Sequence, residues 1–302
     1  MTQATIKPAG SRQQLTPEQD EIVRSAIQEI THIATQPEVS LRIIRLVEDP
    51  DSTAQDLNNV ISNDPALGAR ILKVVNSSFY GLPGQIGSIN RAIVLLGLNA
   101  LKNVAIAASL AKLFRGGQMC PTFTARDLWS HSIAVASATR MLAAKIGLGL
   151  PDEAFLAGLI HDLGLMVEMQ AMRPKLVEAV EKVDEDEQLT FREAEIACIG
   201  ATHEHFGAGL CRVWKFPVSF ANAAGHHHQP LEVHEEHRVL PMLVHAADVI
   251  AARLEIGYTR TVETDQIDPA IMEGLKLTTQ TLQEVEAELP KAAEETAELL
   301  RL

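Results

Sequence analysis

Apolar residues recur along most of the chain at spacings of three and four, and few segments alternate apolar with polar residues. A spacing of three and four places apolar side chains on one face of a helix, whereas a half-buried strand alternates with a period of two. Aromatic residues make up only 4% of the chain, and Ala and Leu are frequent throughout. Because Ala and Leu are strong helix formers, the pattern predicts an all-α protein built from many short helices.

Turn and capping signals mark where these helices begin and end. Thr16-Pro17-Glu18 is typical of a helix start, with Thr as the cap and Pro at the first helical position. Asn63-Asp64-Pro65 predicts the end of one helix and the start of the next, and Thr124-Ala-Arg-Asp127 resembles a capping box. Toward the C-terminus we expect one amphipathic helix after Asp268-Pro269 and a second helix after Pro290.

Breaks in this pattern predict two helical parts between a short leader and a tail. The stretch from Arg115 to Pro121 contains two glycines and a proline, and we place the boundary between the two parts there. The predicted organisation is a disordered leader at 1–16, an N-terminal helical part at 17–115, a second helical part at 116–255 and a helical tail at 256–302.

The tail carries an apolar stripe on an otherwise acidic segment. Ile271, Leu275, Leu282 and Val285 follow one another at spacings of four, seven and three, which places them near one face of a helix. We therefore expect the tail to dock on the main body. An independent acidic tail and a dimerisation helix are the alternatives.

Composition and charge narrow the class of protein. The 302 residues are 46% hydrophobic and 22% charged, which is typical of a globular protein with a sizeable core. With 26 Lys and Arg against 39 Asp and Glu, the net charge is −13. That charge argues against broad binding of nucleic acid or of an anionic membrane, although it leaves room for a small basic pocket.

The sequence also argues against export and membrane insertion. Residues Met1 to Gln14 are polar, so we expect no signal peptide, and the most apolar stretch, Ala92 to Phe114, is interrupted by Asn99, Lys102 and Asn103. The three cysteines lie far apart and form no CxxC pair, which argues against a disulfide framework or a zinc ribbon. We expect a cytoplasmic protein with reduced thiols.

Histidines and acids stand in apolar surroundings. His161 and Asp162 lie inside the apolar run Gly158 to Val167, and Asp248 lies inside another, Val244 to Ala251. An ionised carboxylate in such a place costs several kcal/mol unless it is paired or bound to a cation. Imidazoles and carboxylates that converge in a helical core are typical ligands of Fe, Mn, Ni or Zn.

Taken singly, each of these residues is more often a hydrogen-bonded core histidine or a carboxylate at a helix end. Taken together in chain order, they favour a metal site. His203 and His205 point to nearly opposite sides of a helix, and Gly207, four residues after His203, favours His203 as the inward one. The ordered set is His131, His161, Asp162, His203, the run His226-His227-His228 with His226 the least secure, and Asp248.

Other motifs do not point to a familiar hydrolase. His234-Glu-Glu-His237 has its histidines three apart rather than four, and its polarity predicts an exposed loop. The sequence contains no phosphate loop, no dinucleotide fingerprint and no serine or cysteine nucleophile motif.

The order of the histidines and acids resembles the HD superfamily of metal-dependent phosphohydrolases. The first half resembles the HDOD domain of bacterial proteins, through Asn63-Asp-Pro-Ala-Leu, Asn76-Ser77 with Phe79, and Ser88-Ile to Gly97. The same resemblance continues through Ala157 to Gly164, Glu195, Thr202-His203, Gly207, Trp214 to Pro217 and His227 to Pro230. It covers about residues 20–255. The first-half residues also suit helix ends and close packing, so they indicate the family without indicating a site.

The resemblance implies a two-part helical HDOD fold and a metal site. By resemblance, one metal would be held by His131, His161, Asp162 and Asp248. A second would be held by His203, His227 and His228, with Asp162 bridging. The implied cofactors are one or two divalent transition metals, with Fe or Mn favoured and Ni, Zn or Mg as alternatives. Asp127, one turn before His131, is either a further ligand or a helix cap, and we favour the cap.

Two departures bear on activity. The related HD-GYP phosphodiesterases carry a Lys after the HDxG motif, where this chain has Leu165. The GYP motif is missing after the paired histidines, and Gly257-Tyr258 comes far later in the chain. The resemblance therefore implies a retained metal site with reduced means of holding a phosphate.

Three hypotheses follow, in this order. The first is a cytoplasmic bacterial signalling protein that acts by binding signalling proteins, with a nucleotide as a candidate ligand, no nucleic acid, no membrane, and catalysis weak or absent. The second is an active phosphohydrolase or phosphodiesterase on a nucleotide or cyclic dinucleotide, with Asp162 between two metals. The third is a metal-free remnant whose polar residues hydrogen-bond in the core.

Overall fold

The computed structural model describes residues 15–33, 38–49, 51–77, 80–82, 84–110 and 118–300. Within these residues the chain forms sixteen α-helices, two short 3-10 helices and one two-stranded hairpin. The prediction of an all-α protein is confirmed. None of the helices in these ranges combines the length and the apolar composition that a bilayer crossing requires.

The first six helices precede the predicted boundary. They are α1 (Pro17–Ile33), α2 (Glu38–Glu48), α3 (Ala54–Ser62), α4 (Pro65–Val75), α5 (Ile89–Leu96) and α6 (Leu98–Leu110). The antiparallel hairpin follows, with strands β1 (Gln118–Cys120) and β2 (Phe123–Thr124). This hairpin was not predicted from the sequence.

The remaining helices carry the candidate metal ligands and the tail. They are α7 (Ala125–Lys145), α8 (Pro151–Ile160), α9 (Leu163–Ala171), α10 (Arg173–Glu185), α11 (Phe191–Cys198), α12 (His203–Val213), α13 (Val218–His226), α14 (Val239–Arg253), α15 (Pro269–Leu275) and α16 (Thr279–Leu300). The 3-10 helices are Pro230–Glu232 and Glu235–His237.

Side-chain caps explain several of these starts. The Asp64 carboxylate accepts a hydrogen bond from the backbone N–H of Leu67, and Pro65 occupies the first position of α4. Thr124 caps α7 by accepting from the backbone N–H of Asp127, and its hydroxyl donates to the Asp127 carboxylate at 2.6 Å. The starts of α4 and α7 were therefore predictable from these local signals in the sequence.

Packing between helices brings together the segments that carry the candidate metal ligands. α7 packs against α8, α14 and α16, while α12 packs against α9 and α13. The backbones of α9 and α12 meet at glycines: a Cβ on Gly164 would lie 1.8 Å from the carbonyl oxygen of His203 and 2.8 Å from the backbone nitrogen of Gly207. Because neither residue carries a side chain there, the start of α9 lies directly against the start of α12.

The proposed division into parts stays a prediction. The leader residues 1–14, the signature residues Ser78 and Phe79, and positions 111–117 of the boundary region lie outside the described residues. Among the described residues, α1 packs on α9 and α12, and α6 packs on α8. The two predicted parts therefore share one hydrophobic core.

The tail differs from the prediction at Pro290. The break lies at Lys276–Thr278, between α15 and α16, and α16 runs through Pro290 without interruption. Pro290 is on the exposed side of the helix, where water can bond the carbonyl that lacks a partner. The apolar stripe predicted at Ile271, Leu275, Leu282 and Val285 is buried.

Docking of α16 gives a first testable expectation. Because its stripe packs on α7, the amides of α16 should exchange with deuterium about as slowly as those of α7. Val285→Asp should remove that protection, whereas Gln283→Asp, on the exposed side of the same helix, should leave it intact. Mass spectrometry of deuterated peptides measures both. Fast exchange across Glu273 to Glu288 in the unchanged protein would rule docking out.

Candidate metal centre

The seven predicted ligands come from helix ends and helix interiors that converge. His131 lies in the second turn of α7 and Asp248 lies in the middle of α14. The other five flank helix ends: His161 and Asp162 between α8 and α9, His203 at the start of α12, and His227 and His228 just after α13. His228 is partly exposed, and the other six are buried.

The structure brings all seven together. Within each of three overlapping groups, the candidate donor atoms lie within 4.8 Å of one another. The groups are His203, His227 and His228; His131, His161 and Asp162; and His161, His227 and Asp248. Their role as ligands stays a prediction, but the placement is the one that a metal site needs.

Four of the histidines have Nδ1 in contact with an oxygen, which is a backbone carbonyl oxygen in three of them. His131 Nδ1 lies 3.2 Å from the Ile256 carbonyl, and His161 Nδ1 lies 2.7 Å from the Gly158 carbonyl. His227 Nδ1 lies 3.3 Å from the Ala224 carbonyl. His203 Nδ1 contacts the Glu195 carboxylate at 2.8 and 3.0 Å. Since a carbonyl oxygen only accepts, Nδ1 donates in the contacts of His131, His161 and His227, and in their neutral form these rings present an unprotonated Nε2 to the cluster.

These Nε2 atoms face one another and two carboxylates. His203 Nε2 lies 3.0 Å from His228 Nε2 and 3.4 Å from His227 Nε2. His131 Nε2 lies 2.9 Å from Asp248 Oδ1. His161 Nε2 and both oxygens of Asp162 are buried with no hydrogen-bond partner in the described residues. Lone pairs packed in this way repel unless a proton or a metal ion lies among them.

The pKa values of His161 and His228 reflect the same crowding of buried imidazoles and carboxylates. Burial alone would lower the pKa of His161, but the carboxylates of Asp162 and Asp248 outweigh it and raise the pKa to about 9. Burial, with His227 and His203, holds the pKa of His228 well below its usual range, so that ring is neutral and able to bind a cation. The mixed nitrogen and oxygen donor set therefore fits one or two divalent transition metals.

Two buried glutamates lie beside the cluster, and one of them, Glu195, holds His203. Glu195 accepts the His203 backbone N–H at 3.0 Å as well as the ring Nδ1–H. Burial raises the pKa of both Glu168 and Glu195 well above the usual range, and each carboxyl faces the other. Glu168 was not predicted from the sequence, although a single acid in an apolar run was the signal that identified Asp162.

Several other candidates lie outside the cluster. His205 Nδ1 accepts the Thr202 backbone N–H at 3.0 Å, and burial lowers the pKa of His205 to about 4, so the choice of His203 over His205 agrees with the structure. Asp127 belongs to the cap of α7, as favoured above. His234 and His237 are exposed.

One residue that sequence reasoning missed and one pair that it set aside contact the cluster. His245 donates from Nδ1 to the His227 carbonyl at 2.7 Å, which fixes the backbone beside two candidate ligands. Gly257-Tyr258, dismissed as too late in the chain, packs on α7 beside His131. No local sequence signal marks the second contact, because it joins positions far apart in the chain.

Comparison with models of protein families shows the family to which the chain belongs. The family model of the HDOD domain matches residues 33–230, more than half of the chain. The chain belongs to the HDOD domain family. The match includes His131, His161, Asp162, His203 and the paired histidines of this HDOD protein, and it ends before Asp248 and the tail.

Solved structures share the fold of this HDOD protein. An HDOD domain protein of unknown function from Geobacter sulfurreducens superposes with a TM-score of 0.79 at 23% identity, covering 94% of this chain and 99% of that one. A candidate signal transduction protein from Marinobacter aquaeolei VT8 gives 0.72 at 23% identity, covering 94% of this chain and 66% of that one. A candidate phosphohydrolase from Shewanella amazonensis SB2B gives 0.69 at 23% identity, covering 91% and 98%. These similarities show a common fold.

One curated relative of this HDOD protein is a longer protein. An uncharacterized protein of Treponema pallidum (strain Nichols) is 25% identical over 220 residues, which are 72% of this chain. The chain spans only 42% of the length of that relative.

Proposed function

We propose that this HDOD protein is a cytoplasmic bacterial regulatory protein that binds divalent metal and acts through signalling proteins, with catalysis weak or absent. The observation that carries the proposal is the convergence of histidine Nε2 atoms on Asp162, whose oxygens have no hydrogen-bond partner in the described residues. A buried cluster of five imidazoles and two carboxylates suits a cation, which would replace the proton that His161 otherwise holds.

The two oxygens of Asp162 support its place between two ions. Oδ2 lies 3.3 Å from His161 Nε2, whereas Oδ1 lies 3.5 Å from His227 Nε2 and 3.6 Å from His203 Nε2. We infer that His131, His161, Asp162 and Asp248 hold one ion and that His203, His227 and His228, with Asp162, hold the other. Iron or manganese suits this mixture of imidazole and carboxylate. Such ions act as Lewis acids on phosphate oxygens in hydrolases.

The surroundings of the cluster offer little to hold an anionic substrate. Leu165 is fully buried and supplies no hydrogen-bond donor. Lys102 donates to the Leu46 carbonyl and to Ser52 Oγ, and Arg140 lies over the Tyr80 ring, so neither replaces the missing lysine. This supports weak catalysis.

The surface groove beside His228 is acidic. A groove of about 480 Å³ reaches His228, and its lining includes the carboxylates of Glu232 and Asp268 but no Lys or Arg among the described residues. Arg192, whose charge lowers the pKa of His228, is paired with Glu204 at 2.9 Å and with Glu263 at 3.6 Å. A phosphate would compete with two carboxylates for this arginine.

A turnover assay tests the catalytic part of the proposal. Protein loaded with Fe or Mn should hydrolyse cyclic dinucleotides feebly, at least about a hundredfold slower than an enzyme with an anchoring cation, because one such contact supplies a few kcal/mol of transition-state stabilisation. The assay measures product by chromatography, after elemental analysis has shown that the protein holds metal. Asp162→Ala is the control for activity that comes from the site.

A second function is favoured by the completeness of the donor set. Seven donors in place would equally serve an active metal-dependent phosphohydrolase on a nucleotide or cyclic dinucleotide. Robust hydrolysis that depends on added metal and disappears in Asp162→Ala would establish this function in place of the regulatory one.

A further inference from the structure

The segment Ile256–Tyr258 joins α14 to the tail and lies outside the region matched by the family model. It packs on the second turn of α7, where His131 lies. The Ile256 carbonyl oxygen is 3.2 Å from His131 Nδ1, and the backbone N–H of Tyr258 donates to the Asp127 carbonyl at 3.2 Å. Two backbone groups of the segment therefore bond to α7 on either side of Gly257.

Gly257 makes this close approach feasible. Its φ is 76°, in the left-handed region that favours glycine, and a Cβ there would lie 2.4 Å from both the Asp127 carbonyl oxygen and the His131 backbone nitrogen. It would also lie 2.9 Å from His131 Cα. All three atoms belong to the backbone of a helix, so they cannot move aside as a flexible side chain would. Any larger residue must push the segment away from α7.

The Tyr258 side chain anchors the segment through contacts with two aromatic residues. Its ring packs against that of Phe123 at a tilt of 57°, with centroids 4.4 Å apart, and lies 6.0 Å from the Phe191 ring. Tyr258 is buried, so the segment is anchored by apolar contacts as well as by hydrogen bonds. The Ile256 carbonyl is therefore kept at a fixed position beside His131.

The contact with Ile256 decides which nitrogen of His131 can bind metal. The carbonyl accepts the proton of Nδ1, so Nε2 is left unprotonated and faces Asp248 and the rest of the cluster. Without this acceptor the proton could move to Nε2 and the ring could turn. Partners of this kind, which hold the far side of a metal-binding histidine, commonly contribute 10- to 100-fold to metal affinity.

We propose that Ile256–Tyr258 is a positioning segment for the His131 half of the metal centre, and that Gly257 is the residue on which this role depends. The inference rests on the proposed metal binding. It assigns the two halves different supports: His131 is held by the Ile256 carbonyl from outside the family region, and His203 is held by the Glu195 carboxylate. A change at Gly257 should therefore weaken one ion and spare the other.

Titration of the full-length protein with Mn²⁺ tests this, comparing the wild type with Gly257→Ala and Gly147→Ala. Gly147 is the matched control, because it is also exposed with a left-handed φ of 68° but has no atom within 4 Å of a Cβ. We expect Gly147→Ala to bind two Mn²⁺ as the wild type does. Gly257→Ala should bind one with unchanged affinity and the other 10- to 100-fold more weakly.

The outcomes separate the two proposals. If the wild type binds no Mn²⁺ or other divalent metal, the proposed function fails and this inference fails with it. If the wild type binds metal and Gly257→Ala binds it equally well, the inference alone is wrong.

A second measurement needs no variant at position 257, so a misfolded Gly257→Ala would not prevent the test. In Zn²⁺-loaded wild type, nitrogen NMR should show the His131 proton on Nδ1, with the signal assigned by its loss in His131→Gln. A proton on Nε2 would overturn the inference.

Discussion

Replacing Asp162 with alanine is expected to abolish metal binding and to lower the melting temperature by roughly 10 °C in the presence of metal. Asp162 is the residue whose two oxygens face both groups of imidazoles, so its loss removes a ligand from each. An ion present at about a thousand times its Kd stabilises the folded state by about 4 kcal/mol, and that stabilisation disappears with binding. Elemental analysis and thermal unfolding measure the two effects.

A chelator distinguishes metal loss from simple damage to the core. In its presence the wild type no longer gains the free energy of metal binding, so any difference in stability that remains from Asp162→Ala reports the loss of the carboxylate beside the His161 ring. His161→Ala should behave in the same way as Asp162→Ala. Asp51→Ala, at an exposed position remote in sequence from the cluster, should retain both metal and melting temperature. A metal-free wild type that melts like the two cluster variants would favour the third hypothesis, a metal-free remnant.

Gly164→Ala should be among the most damaging small substitutions in the protein, with a cost of about 4 kcal/mol or more, or a failure to fold. The added Cβ would lie 1.8 Å from the His203 carbonyl oxygen and 2.6 Å from its carbonyl carbon. Because these atoms are backbone, α9 and α12 would have to move apart, and Asp162 would move away from His203. Urea unfolding measures the free energy, and metal content reports the displacement of the ligands.

Gly68→Ala is the matched control for a glycine inside a helix. A Cβ at Gly68 would meet Ile61 Cγ2 at 3.5 Å, which is an ordinary contact. Since alanine favours a helix over glycine by about 1 kcal/mol, this change should be neutral or stabilising. The close packing of α9 on α12 would be disproved by a Gly164→Ala protein that unfolds within 1 kcal/mol of the wild type and keeps its metal.

Helix starts were predictable where one side chain caps its own helix. Asp64 and Thr124 bond backbone groups three residues ahead, so the information lies within one turn of sequence. Pro290 shows the limit of such rules. It was interpreted as a helix start, but Leu289 and Ala293 on either side continue the buried stripe of α16, and packing of that stripe outweighs one missing hydrogen bond.

The candidate site was predictable as far as its polar residues stand out from apolar runs. Asp162 and Asp248 do so, and so does the overlooked Glu168. The contact between Ile256 and His131 gives no such signal, because it joins a backbone carbonyl to a ring 125 residues away. Only the folded chain shows that Gly257-Tyr258, set aside because of its late position, lies against the second turn of α7.

The spread of the cluster along the chain has a consequence for the lifetime of the folded state. His131 and Asp248 are 117 residues apart, and the helices that carry them meet only after long stretches of chain have been ordered. Contacts of this kind tend to form late in folding, so an ion that requires all of them stabilises the native state more than the transition state. Metal would then act as a reversible cross-link that slows unfolding more than it speeds folding. A cell could set how long this protein persists through the supply of one ion.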